Sequence, residues 1–222
     1  MPVTVTYGED TFLVGLPVIN LGLNIPGIID TSLAINLGQI GFQDGNLVLT
    51  TPTMNANLDT PLGGGEFNLT PGTVSVGTGG LNVSAPGANG NVNILDTVTA
   101  EFAVTGGEVE VTPTGATVTG PTIEGEVDTP LGGGSTTVET GGGHVGTDGA
   151  SVTGPDVTAE VSTPVGVGGN VDVDTGSGSV GTDGTVDVTG PSGEAELNTP
   201  RVTSAAASTP AASWPAPGPG WT

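Results

Sequence analysis

Residues 155–164 read Pro-Asp-Val-Thr-Ala-Glu-Val-Ser-Thr-Pro. Between the prolines, Val157, Ala159 and Val161 alternate with Asp156, Thr158 and Glu160. A period of two gives a strand with one apolar face and one wet face. Proline lacks the N–H that a ladder needs, so the flanking prolines mark where the strand stops. Three other stretches follow the same pattern without gaps: Pro52 to Pro61, Pro121 to Pro130 and Pro191 to Pro200. Each holds a small residue at its centre (Ala56, Gly125, Ala159, Ala195), where another backbone is expected to come close.

The pattern extends outward from these cores. A Leu-Thr, Val-Ser or Val-Thr pair precedes each proline: Leu49-Thr50, Val83-Ser84, Val118-Thr119, Val152-Thr153 and Val188-Thr189. Before that comes a glycine turn, Asp44-Gly45 in the first copy and Asp148-Gly149 or Asp183-Gly184 later. Such pairs supply the positive φ that tight hairpins require. A degenerate copy runs from Pro86 to Leu95-Asp96-Thr97. With Thr60, Thr97, Thr129, Thr163 and Thr199 as anchors, the spacings are 37, 32, 34 and 36 residues. The expectation is an all-β, elongated repeat protein built from units of about 35 residues, each holding three or four short strands. Three arrangements fit: a meander, a solenoid or an intertwined fibre. In a parallel solenoid Glu126, Glu160 and Glu196 would stack at about 4.8 Å as like charges. That favours the meander or a multi-chain assembly.

Bulk is unevenly distributed. Leu, Ile and Phe number 17 in residues 1–58, 8 in 59–130 and 2 in 131–222. Residues 1–58 read as an apolar N-terminal β region with a divergent first repeat, the one zone able to form an ordinary packed core and suited to be an assembly anchor. Residues 59–202 read as tandem β repeats (59–95, 96–127, 128–161, 162–197 and a cap), held by Val and Ala. A lone unit of this size buries too little to offset its chain entropy. Self-association is therefore expected, with a homotrimer among the options. Residues 203–222, rich in Ala, Ser and Pro, read as an extended tail. Its Trp214 and Trp221 are candidate anchors that would fill pockets on a partner protein.

Composition excludes several functions. The 222 residues carry 23 Asp and Glu against one Arg and no Lys, a net charge of −22. Nucleic acid, which is bound through Lys and Arg at phosphates, is excluded as a partner, and so is an anionic membrane surface. No apolar run reaches the length of a membrane helix. The start, MPVTVTYGED, lacks a basic region ahead of an apolar stretch, so no conventional secretory signal is expected. There is no Cys, and His144, Arg201 and Tyr7 are each unique. A Ser-His-Asp arrangement would have to use His144, which sits in the turn-flanking run Gly141-Gly-Gly-His144-Val-Gly-Thr-Asp148-Gly149. The pairs Glu108/Glu110, Glu124/Glu126 and Glu194/Glu196 lie on polar strand faces with no cleft around them. No catalytic, cofactor-binding or metal-ligating residue is assigned, and no enzyme is expected. Calcium stays open: Gly178 to Val186 is similar to the Gly-Asp nonapeptide of calcium-binding β-rolls, but copies recur every 35 residues, not every nine.

Two resemblances follow from these residues. Asn20-Leu-Gly-Leu-Asn24-Ile-Pro-Gly, with Asn36-Leu-Gly, resembles the Asn/Gly tracts of mycobacterial PPE proteins, over that short stretch alone. The whole chain, poor in Lys and rich in Ala, Gly, Thr, Val and Pro, is similar in composition to structural virion proteins of phages infecting high-GC actinobacteria. That resemblance implies a non-enzymatic fibre, tail-associated or capsid-decorating protein located in the virion, meeting other virion or surface proteins through the N-terminal region or through Trp214 and Trp221. The alternative is a bacterial cell-surface or extracellular-matrix repeat protein, a filament or adhesin.

Overall fold

The computed structural model describes residues 3–199. The tail, with Trp214 and Trp221, and Arg201 lie outside the described residues. Strands follow one another through the described residues: β1 (Thr4–Tyr7), β2 (Thr11–Gly15), β3 (Val18–Ile25), β4 (Ile29–Asn36), β5 (Gln39–Gln43) and β6 (Asn46–Thr50). Next come β7 (Thr53–Thr60), β8 (Gly63–Thr70), β9 (Thr73–Gly77), β10 (Gly80–Ser84), β11 (Gly87–Ile94) and β12 (Val98–Thr105). The third group is β13 (Glu108–Thr112), β14 (Gly115–Thr119), β15 (Thr122–Thr129), β16 (Gly132–Glu139), β17 (Gly142–Gly146) and β18 (Gly149–Thr153). The last five are β19 (Asp156–Ser162), β20 (Gly168–Asp174), β21 (Ser177–Gly181), β22 (Val186–Thr189) and β23 (Ser192–Asn198).

Hairpins alternate between two wholly antiparallel sheets. Sheet A has 12 short strands in the order β1-β2-β5-β6-β9-β10-β13-β14-β17-β18-β21-β22. Sheet B has 11 longer strands in the order β3-β4-β7-β8-β11-β12-β15-β16-β19-β20-β23. Two residues join each strand to the next across the sheets, as Leu16-Pro17 join β2 to β3 and Thr51-Pro52 join β6 to β7. Hydrogen bonds continue through these joins, for example Leu16 N to Gly38 O at 2.9 Å and Thr51 N to Gly72 O at 2.9 Å. The chain is thus one meander of long strands, each interrupted near its middle. One repeat is one up-and-down pair of these long strands, and it contains four of the short ones.

The prolines divide into two roles. Pro52, Pro121, Pro155 and Pro191 sit in the mid-strand breaks, whereas Pro61, Pro130 and Pro164 sit in the outer turns of sheet B. On the returning strand the break is made by glycine: Gly38, Gly141 and Gly176 hold φ of 92°, 77° and 90°. At the far end of sheet A, Asp44 and Gly45 take φ of 50° and 78°, the left-handed pair of a two-residue hairpin.

Register sorts the side chains into rows. In sheet B, Leu33, Ala56, Phe67, Gly90, Phe102 and Gly125 lie opposite one another along one apolar row. The neighbouring row, on the other face, runs Glu101, Glu126, Ser135, Glu160, Asn170 and Glu196. Ser135 and Asn170 hold the carboxylates of successive repeats apart, and Glu101 and Glu126 are the exception. Sheet A repeats the division, with Val74, Val83, Val109 and Val118 in one row and Asn82, Glu110, Thr117 and His144 in the next. A hollow over the breaks is lined by Thr4, Gln39 and Thr50 of sheet A together with Asn20, Asn36 and Thr53 of sheet B. The polar rows of both sheets therefore face the same side, and so do the apolar rows.

Nothing among the described residues covers the apolar side. Among the described residues no hydrophobic side chain is buried. Residues 1–58, able by their bulk to form a packed core, do not form one: Leu21 is 60% exposed and Phe42 56% exposed, because their strands simply continue the single layer.

Candidate functional site

His144 stands in the middle of β17, at a row position where Ser151 and Ser179 follow on the next strands. Its two neighbours come from different places. Thr117 lies directly opposite on β14, and Asp148 lies four residues on, in the turn to β18. His144 Nδ1 is 3.0 Å from Thr117 Oγ1, and Nε2 is 3.0 Å from Asp148 Oδ1. With Nε2 protonated and donating to Asp148, the Thr117 hydroxyl donates to Nδ1. The hydrogen bond from His144 is the main cause that holds the Asp148 carboxyl below its usual range, with the turn backbone adding to it and, when both ring nitrogens carry a proton, the positive charge of His144 as well. Asp183, at the equivalent turn one repeat later, is lowered instead by hydrogen bonds from the side chain and backbone of Thr185.

The order hydroxyl, imidazole, carboxylate is that of an activated nucleophile. The surroundings supply little else. Thr117 lies mid-strand, paired on one side to β13 and on the other to β17, so the backbone N–H groups near it belong to the ladder. An oxyanion hole needs free donors aimed at one point. Asp148 is 79% exposed, which leaves its charge to water. The chemistry on offer is a solvated hydrogen-bond chain that pins the turn after β17. Sequence reading singles out His144 and its nearby Asp148. Thr117, distant along the chain, becomes a partner through register alone.

The paired carboxylates lie on the polar side. Glu66, Glu101, Glu124 and Glu126 line an open hollow of about 430 Å³ over sheet B, with Asn68, Asn89, Asn91, Ser135 and Thr137. Asn68 donates to Glu66 at 3.1 Å, and Asn82 of sheet A donates to Glu108 at 2.5 Å. Glycosidase chemistry places an acid and a base across an enclosed bond, and this hollow is an unroofed sheet surface. A second acidic row runs Glu139, Asp156, Asp174 across three adjacent strands beside the breaks. Asp174 accepts from Gly176 N at 2.6 Å, but Oδ1 of Asp156 has no partner. Among the described residues no three His, Cys, Asp or Glu side chains are grouped as a metal site.

No protein-family model matches the chain, no curated protein matches it in sequence, and no solved structure matches its fold.

Proposed function

We propose that the protein is a non-enzymatic structural component of a phage virion, a fibre, tail-associated or capsid-decorating element that acts as a spacer or attachment surface. The observation that carries this reading is the meander itself: among the described residues, five successive repeats extend one layer without enclosing a cavity or a core. Eleven long strands at about 4.8 Å give a ribbon roughly 50 Å across. The material of the chain goes into area, as a spacer requires, and its composition is similar to that of actinobacteriophage structural proteins. The charge carried by the strands lies on one side, which keeps an open sheet soluble and makes particles repel one another. A second reading, a bacterial surface or matrix filament, draws support from the uncharged edge strand β3, which offers a free ladder edge.

Gold-labelled antibody against the protein, applied to purified particles and to uninfected cells, separates the two. Label on particles supports the virion reading. Label confined to the envelope of uninfected cells overturns it.

A further inference from the structure

We infer that the uncovered apolar side is the seat of a second copy of this chain, and that two copies stack face to face into a two-layer sandwich. Several independent features of the sheet converge on that occupant. The first is charge. All 23 Asp and Glu side chains fall within the polar rows or the hairpin turns, and none falls in an apolar row. Closing apolar side on apolar side therefore desolvates no carboxylate, while polar sides repel one another.

The second is area. Sheet B covers about 48 by 26 Å and sheet A about 53 by 17 Å at ordinary strand spacings, a footprint of roughly 2,100 Å² per copy. Two such faces bury about 4,200 Å² in total, within the range of obligate homodimers. A bilayer is the wrong occupant for this layer. Among the described residues the outermost strands β1 and β22, and β3 and β23, each pair on one side only, and open ladder edges are not tolerated in hydrocarbon.

The third is the shape of the face, which fixes how the copies sit. Its early strands carry bulk, such as Leu21, Leu33 and Phe42, and its late strands carry little, such as Ala159, Ala195 and Val180. A two-fold axis parallel to the strands sets early strands over late ones and keeps the gap even, at about 10 Å as in other packed sheets. It also lays the longer strands of sheet B over sheet B and the shorter ones of sheet A over sheet A. An axis across the strands would oppose unequal lengths and stack bulk on bulk. The strand-parallel axis passes near β12, the sixth of the eleven strands of sheet B, where the Phe102 ring folds over Gly90 toward Phe67, ring centroids 6.2 Å apart.

This pairing deepens the structural role proposed above, and its test stands apart from particle labelling, because a dimer forms in solution wherever the protein resides. Light scattering on the full chain should return twice 21.4 kDa. Val127→Glu, on the apolar side of β15, should return the monomer mass. Ser151→Glu, on the polar side of β18 between His144 and Ser179, should stay dimeric. With no native Cys, a spin label at Pro17→Cys reports the axis: about 48 Å between labels for the strand-parallel axis, since ten strand spacings separate them. Should Val127→Glu fail to fold, the wild-type mass and the label distance still decide. A wild-type monomer, a trimer or equal loss of assembly in both Glu variants would each overturn the inference. So would labels separated by little more than the gap between the sheets, or a monomer captured by neutral phosphatidylcholine vesicles.

Discussion

Replacing Asp156 by Thr should stabilise the protein. Asp156 lies between Glu139 and Asp174 as the direct cross-strand partner of both, and its Oδ1 makes no hydrogen bond. Two unit charges about 5 Å apart repel by about 0.8 kcal/mol in water, and a Debye length near 8 Å at physiological salt roughly halves this. Two such contacts sum to about 0.9 kcal/mol. Thr53 and Thr122 hold the same position in earlier repeats, so the replacement is one the fold already accepts. Its strand preference adds a few tenths of a kcal/mol, and the expected gain is about 1 kcal/mol. Urea unfolding followed by circular dichroism at 0.15 M and 1 M NaCl measures it. Because salt at 1 M screens within about 3 Å, most of the charge part of the gain should vanish there. A variant less stable than wild type would refute the reasoning, and so would a gain indifferent to salt. If calcium stabilised wild type but not the variant, the three carboxylates would be a chelating row, not a repelling one.

Other consequences are checked more simply. Carbon-detected NMR should find the Asp148 carboxyl titrating below the usual carboxylate value, and His144→Gln should raise it. Since the folded value is lowered, this contribution to stability is present above the unfolded value and is lost as pH falls through the folded one. Gly45→Ala should cost about 1 kcal/mol because φ of 78° disfavours a side chain, while Gly45→Asn should cost clearly less; paired thermal melts read the difference. The wild-type melting temperature should be the same in millimolar calcium and in chelator, as expected where no carboxylate cluster is grouped around a point among the described residues.

Much of this architecture is legible in the chain. Alternation between paired prolines gives the strands of sheet B, and the Asp-Gly pairs give the turns of sheet A. The repeat period gives an up-and-down pair. The mid-strand break is harder to read. From Thr50 to Thr53 the count is odd, so a regular strand would carry these two residues on opposite faces, yet both line the hollow on the polar side. The irregular backbone at the breaks, left-handed at Gly38, Gly141 and Gly176, resets the face, and nothing in side-chain hydropathy announces it. The bulky side chains of residues 1–58 mislead for a related reason: apolar content marks a face that wants covering, but not whether the cover comes from the same chain. The His144 chain is half visible, since Asp148 is local and Thr117 depends on how two hairpins align.

Because each repeat leaves and returns along the same heading, a duplicated or deleted copy would change neither the direction of the strands downstream nor the side to which their carboxylates turn. Gene-level gain or loss of one copy would widen or narrow the ribbon by about two strand spacings, roughly 10 Å, and leave both ends as they are. Such a chain is a ruler whose graduations evolution can add or erase one at a time.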